Sequence, residues 1–387
     1  MFSSLILIWI SLIAINCDEL RQVHVIFRHG DRTPAYQYPS DTTKWALGKG
    51  ALTPLGMKQL RQFGAELGQR YISDQFLAKI YRHEEVEFRS TDVPRTLQSA
   101  EALAAGLFPC GQPGITIPQT QPWSADSWPG LWQPVPIRSN QLDQDYLMGT
   151  ADCPVSSEIV VNFLFYMANL TLSDADRTGF TDEVNLSNFE FIWDNMFVNA
   201  IHGRSPPWAT PQIMEKGAEM MRRFRREEYR MMTRSPPVFV RLEAGPLIAE
   251  ITKRVRQRID CDPSEVQFSR RPCSSTKLYV YSGHDSTLQN LLATIVPVDR
   301  SVLVDQQPPY TSAVIIEAWQ GISGDNTVKK QQVYYRRGPS DATWSSVEWA
   351  APGAAHTLDA FERLIRRFVP NDVKRECGDH NFSDYGY

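Results

Sequence analysis

Apolar residues along this chain recur in two rhythms. Val23, Val25, Ile26 and Phe27 form a short, nearly continuous apolar run, the pattern of a buried strand. Thr53-Pro54 then supplies an N-cap and first-turn pair, and Leu60, Phe63 and Leu67 follow at helical spacing toward Tyr71. Val86 to Ser90 predicts a second strand, and Leu97, Ala100, Ala104 and Leu107 put one apolar stripe on a helix from about Pro94 to Leu107. The same order returns late in the chain, where Leu278-Tyr279-Val280-Tyr281 runs into a helical stretch from Ser286 to Ile295. Val314 to Trp319 and Val328 to Tyr335 add strands, and Thr357 to Phe368 predicts a helix stopped by Pro370. Strands alternating with helices predict an α/β fold whose mixed, largely parallel sheet is flanked by helices.

The middle of the chain breaks this alternation. Gln119 to Pro136 is rich in Pro and Trp, and Val155 to Arg258 is mostly helical in pattern, including a run from Ile213 to Met231. The expected organisation is therefore an α/β core over 18–125 and 255–387, with a helical cap inserted at 126–254. Trp123, Trp128 and Trp132 are expected to pack within the cap. Arg222, Arg223, Arg225, Arg226 and Arg230, interleaved with Glu227 and Glu228, read as a solvated helix face.

Residues 1–17 change the compartment. Leu5 to Ile15 is apolar but short for a bilayer span and fits a secretory signal, with cleavage after Cys17 and no basic residue before it. Three sequons, at Asn169, Asn185 and Asn381, agree with a glycosylated secretory protein. The polar C-terminal tail predicts no membrane anchor. Cys110, Cys153, Cys261, Cys273 and Cys377 would remain, an odd set too scattered for a zinc ribbon. A disulfide between Cys261 and Cys273 could close a polar loop, and Cys377 would gain most from a tie to Cys153, although spacing alone leaves the connectivity open. A net charge of −4 gives no bulk attraction to nucleic acid or anionic membranes, so an anionic substrate must be captured locally.

The local means of capture are at the strand ends. Arg28-His29-Gly30-Asp31-Arg32-Thr33-Pro34 follows the first strand, Arg95 follows the second, and Ser282-Gly283-His284-Asp285 follows the late one. Guanidinium forks match phosphate oxygens, a histidine ring can attack phosphorus, and a carboxylic acid can protonate a leaving oxygen. On this reading His29 is the nucleophile, Asp285 the proton donor, and Arg28, Arg32, Arg95 and His284 bind the phosphoryl group, with no metal or cofactor. Asp31 is expected to pair with and orient an arginine. His24, His83, His202, His356 and His380 read as structural.

The first of these segments resembles the RHGxRxP signature of the histidine acid phosphatases, and His284-Asp285 resembles that family's proton-donor pair. Leu52 to Gln59 is similar to the family's LTxxGxxQ helix start, and Ser90 to Arg95 to the segment that supplies its third phosphate arginine. The resemblance runs from about Val23 to about Cys377 and is nearest to the prostatic and lysosomal type. It implies an acid phosphatase acting on small phosphate monoesters through a phosphohistidine, in a secreted or lysosomal-lumen protein, with a homodimer also implied. Cys153 and Cys377 look like one of the family's long-range disulfides; Cys261 and Cys273 match none. The alternatives are a phytase or lysophospholipid phosphatase with the same motifs, or a catalytically idle binding protein on this scaffold.

Overall fold

In the computed structural model, which describes residues 18–119, 128–168, 186–234, 237–261, 273–296, 306–323, 326–339, 343–349 and 356–378, β1 (Glu19–Arg28) is the central strand of a seven-stranded sheet. α1 (Pro54–Tyr71), β2 (Val86–Ser90) and α2 (Pro94–Leu107) follow, with a two-residue strand, β3 (Ile137–Arg138), at one edge. Next come α3 (Pro154–Ala168), α4 (Leu186–Ile201), α5 (Pro211–Met232), α6 (Val238–Glu243) and α7 (Gly245–Ile259). The chain re-enters the sheet with β4 (Leu278–Gly283), followed by α8 (Asp285–Ile295), β5 (Ala313–Ser323), β6 (Asn326–Arg336) and β7 (Ser345–Ser346). α9 (Leu358–Ile365) and α10 (Val373–Gly378) complete the elements.

The strand order is β3-β2-β4-β1-β5-β6-β7. β3, β2, β4 and β1 are mutually parallel, whereas β5, β6 and β7 add antiparallel pairings. The sheet is thus mixed, and its parallel half carries the strand ends that matter for chemistry.

Side chains alternate across the sheet. Val23, Val25 and Phe27 of β1 and Leu278 and Val280 of β4 bury against Leu60, Phe63 and Leu103 of α1 and α2. Ile26, Tyr279 and Tyr281 turn to the other face, onto Leu247 and Ile248 of α7, Leu291 of α8 and Phe361 of α9. Both faces are covered, which is why β1 reads as continuously apolar. Each such Leu or Phe, fully buried, stabilises the fold by about 1.5–3 kcal/mol. His24 shares the second face as a structural residue, stacked on Tyr279 with ring centroids 5.0 Å apart and bonded to Gln22.

α3, α5 and α6 form a separate apolar cluster with Val155, Ile159, Tyr229 and Phe239. The boundary expected at 254 falls inside α7, whose Leu247, Ile248 and Ile251 belong to the cluster under the sheet. Two sequence expectations are corrected here. Arg225 does not lie on a solvated face: Arg222, Arg223, Arg226 and Arg230 are exposed, but Arg225 is buried on the stripe shared by Met221, Phe224 and Tyr229. Trp128 and Trp132 lie against one another at the surface, with Trp132 45% exposed, and do not pack into the cap; Trp123 is outside the described residues.

Cys153, at the start of α3, bonds Cys377 in α10, with Cα atoms 4.7 Å apart at a sequence separation of 224. Cys261 and Cys273 form the second disulfide, and Cys110 is free and exposed. Replacing both Cys153 and Cys377 by alanine is expected to cost about 2–4 kcal/mol, read as a lower denaturant midpoint, because the unfolded chain regains the freedom of a long loop. Residues 1–17 and the sequon asparagines Asn169, Asn185 and Asn381 lie outside the described residues. Among the described residues no helix is long and apolar enough to cross a membrane.

Candidate active site

Register brings the three motif segments to one edge. Arg28 of β1 pairs with Gly283 of β4, and Ser90 of β2 with Ser282 of β4, so the three parallel strands end level with one another. His29, His284 and the turn leading to Arg95 leave from those ends, at the carboxyl edge where open α/β sheets place their ligands. His284 is the N-cap of α8 and Asp285 its first residue; Arg95 sits in the first turn of α2. Two helix N-termini therefore add partial positive charge to the same edge.

The loop after His29 is braced by the start of α1. A Cβ on Gly30 would lie 2.6 Å from the carbonyl oxygen of Gly56 and 2.7 Å from its Cα, so the two backbones can cross only because both residues lack side chains. Thr53 accepts a bond from the Gly56 N–H at 3.1 Å and donates to the Asp31 carboxylate, while Gln59 accepts from the Asp31 N–H at 3.0 Å. The similar spacing of Thr53, Gly56 and Gln59 to a family motif thus has a mechanical meaning. Asp31, expected to orient an arginine, instead pairs with His202 just beyond α4, Nε2 to Oδ2 at 2.9 Å. It fastens the loop to the end of α4.

His29 is buried, and its Nδ1 lies 2.8 Å from the Gly30 carbonyl oxygen. A carbonyl only accepts, so Nδ1 carries the proton and Nε2 is left as the free lone pair. Burial, and then the charges of Arg28, His284, Arg95 and Arg32, hold the ring's pKa well below the usual histidine value. Such a ring stays neutral and nucleophilic far into the acid range. His284 is lowered to about 4, by burial and then Arg95. Its Nε2 meets the Thr91 hydroxyl at 3.1 Å and its Nδ1 faces an Arg95 amino group at 3.5 Å, so the ring steadies that guanidinium.

The cations crowd one another. Arg95 is lowered by burial and by Arg32 and Arg28, the mark of a group of positive charges arranged around space for an anion. Arg28 lies 4.5 Å over the Tyr310 ring, donates to the Pro308 carbonyl oxygen and stands 3.4 Å from Asp285. Thr311, next along, has a φ of 61°, unusual for a β-branched residue. Its N–H donates to the His29 carbonyl oxygen at 3.2 Å, and its own carbonyl accepts from Arg336 at 2.8 Å. The strain of about 1–3 kcal/mol at such a position is held by the surroundings and keeps Tyr310 beside the histidine.

Asp285 accepts from the Gln307 amide and from the N–H of Ser286. Burial alone would raise its carboxyl, but Arg28 and Arg225 outweigh that and hold it well below the usual carboxylate range. Sequence reasoning missed several of these neighbours. Asp194 of α4 takes Arg32 in a two-pronged bond, at 3.0 and 2.8 Å. Tyr310 and Gln307 come from a loop without periodicity, and no local signal marks them. Arg225 had a signal: it falls four residues after Met221 and four before Tyr229, on the buried stripe.

Arg28, His29, Arg32, Arg95, His284 and Asp285 are all brought together, and the arrangement can hold a tetrahedral oxyanion against a neutral imidazole nitrogen with a carboxyl group nearby. The Histidine phosphatase superfamily (branch 2) model matches residues 35–336. The lysosomal acid phosphatase of Homo sapiens is 33% identical over 379 residues, covering 93% of this chain and 80% of the relative. The prostatic acid phosphatase of Rattus norvegicus is 30% identical over 397 residues, covering 97% and 94%. Among solved structures, the phytase from Citrobacter braakii shares the fold with a TM-score of 0.60 at 15% identity, covering 93% of this chain and 99% of its own. With a matching family model over most of its length and the histidine at the expected strand end, the chain belongs to branch 2 of the histidine phosphatase superfamily.

Proposed function

We propose that this protein is an acid phosphatase that hydrolyses small phosphate monoesters through a phosphohistidine on His29. One observation carries the reading: a buried, neutral His29 with Nε2 free lies in the combined field of Arg28, Arg32 and Arg95. The guanidiniums hold the phosphoryl oxygens and spread the charge of the transition state. Nε2 forms the N–P bond as the P–O bond to the leaving group breaks, and the leaving oxygen takes the proton of Asp285. Asp285, now a carboxylate, then takes a proton from water as that water attacks phosphorus and frees His29.

Arg28 and Arg225 hold Asp285 ionised, which supplies a physical reason for an acid optimum. Arg28 keeps the proton off until phosphoryl oxygens neutralise it, and low pH favours both a protonated Asp285 and a monoanionic ester that brings its own proton. Carboxylates on the cap side, Asp194 at Arg32 and Glu190 and Glu228 at Arg225, favour a substrate with one phosphate over a polyanion such as an inositol polyphosphate. Secretion or delivery to the lysosomal lumen fits the signal-like residues 1–17 and the lysosomal name carried by relatives. A homodimer belongs to the same proposal.

The expected result is nitrophenyl phosphate hydrolysis at acid pH by the chain from Asp18, at a rate unchanged by excess chelator. A folded protein that releases no phosphate from this ester would sink the reading, and loss of activity in chelator would sink the metal-free scheme.

A further inference from the structure

The scheme above makes no use of the buried arginine of α5. The Arg225 side chain is 8% exposed. Its two amino groups donate to Glu228, 2.7 Å away and one turn along α5, and to Glu190 of α4, 2.5 Å away. Gln289, one turn along α8 from Asp285, donates to the same Glu228 oxygen at 3.4 Å. The guanidinium is thus held by two carboxylates, one of which Gln289 ties to the helix that begins with Asp285.

Gln289 and Asp285 are four residues apart and so share one face of α8, and the Gln289–Glu228 contact sets the Arg225 cluster on the side of α8 that carries the Asp285 carboxylate. Among charges that favour the Asp285 carboxylate, Arg225 follows only Arg28, and Asp285 and Glu190 in turn act on one another. Glu190 is raised, first by burial and despite Arg225, with Glu228 and Asp285 adding repulsion. One cation is shared by three carboxylates, two that anchor it and one assigned to the chemistry.

We propose that Arg225, anchored by Glu190 and Glu228, is a positioning residue through which the cap governs the ionisation of Asp285 and so sets the pH at which the leaving group is protonated. The inference rests on the reading of Asp285 as proton donor. The other groups that act on Asp285 differ in origin: Arg28 and His29 come from the end of β1, and Gln307 from the loop before β5. Arg95 of α2, Arg32 and His284 complete the charged surroundings. All of these lie within the phosphate site, so bound phosphate screens them. Arg225 has its own carboxylates and keeps its influence when substrate is present.

The test is the pH dependence of the first-turnover rate of phosphoryl transfer, before water attacks the phosphohistidine, for glycerol phosphate, whose alkoxide needs a proton, beside nitrophenyl phosphate, whose phenolate does not. Removing the cation in Arg225→Gln raises the Asp285 carboxyl, so the falling alkaline limb for glycerol phosphate should move up by about one pH unit, the scale of one nearby charge. Glu190→Gln removes an anion and frees the cation, so the same limb should move down. Arg225→Lys, which keeps the charge, should restore the wild-type limb, and the nitrophenyl phosphate profile should stay in place in all three variants.

A residue that only packs the cap would lower stability and rate without moving the limbs in opposite directions. Fixed limbs, or limbs moving the same way, overturn the inference. If Arg225→Gln does not fold, Glu190→Gln decides alone, and an unmoved limb in it overturns the proposal. A wild type that hydrolyses neither ester overturns instead the phosphatase reading on which the proposal depends, so the two failures are distinct.

Discussion

His29→Ala is expected to take turnover down by about six orders of magnitude, the scale at which removal of a covalent nucleophile leaves only the surrounding site. The loss should appear for every ester, because no other described group stands at a strand end with a free lone pair amid Arg28, Arg32 and Arg95. Two accompanying measurements identify the cause. Wild-type protein quenched in alkali during turnover of a radiolabelled ester should retain label with the stability of a phosphohistidine, and the variant should retain none. Inorganic phosphate should still bind the variant, since the guanidiniums remain. Label retained in the variant, or full activity without His29, would overturn its role as nucleophile.

Asp285→Asn should divide substrates by their leaving groups. An asparagine keeps the shape and the partnership with Gln307 but has no acidic proton to give. Esters of alkyl alcohols are expected to slow by about 10²–10⁴-fold, the usual worth of general acid catalysis. In the first turnover, before Asp285 serves as base toward water, nitrophenyl phosphate should slow far less, because its phenolate leaves without a proton. Equal slowing of both ester classes would count against proton donation and point to a purely electrostatic role. The sign of the pH effect also follows. Arg28 and Arg225 depress Asp285, so the acid form is lost as pH rises, and the alkaline limb for alkyl esters should disappear in the variant.

The parts of this molecule legible from sequence are those governed by local rules. Pro54 and Pro94 mark the starts of α1 and α2, and Thr53 and Thr357 cap α1 and α9, because capping and a fixed φ act within one turn. The apolar run of β1 revealed a buried strand, and the structure adds that both its faces are covered. The six motif residues were legible because each lies at a strand end, in the short loop that follows it or at a helix start, where the backbone decides its position. β3 and β7, two residues each, are too short to leave a period. Asp194, Tyr310, Gln307 and His202 reach the site through tertiary packing, which spacing along the chain does not encode. The interleaved glutamates around Arg225 signalled a wet surface, yet two of its neighbours in charge, Glu190 and Glu228, are what allow its burial.

The placement of β4 between β1 and β2 has a consequence for synthesis of the protein. β1 and β2 are made early but do not touch in the sheet, since each pairs with β4, whose first residue is Leu278. A growing chain on the ribosome therefore carries three unpaired strand edges, both of β1 and one of β2, rich in Val, Ile and Phe, through translation of α3 to α7. Such edges invite association with other chains. α1 and α2 can shield one face in the meantime, but His29 and the arginines around it acquire their final geometry only once the late strand has emerged and slotted between its neighbours.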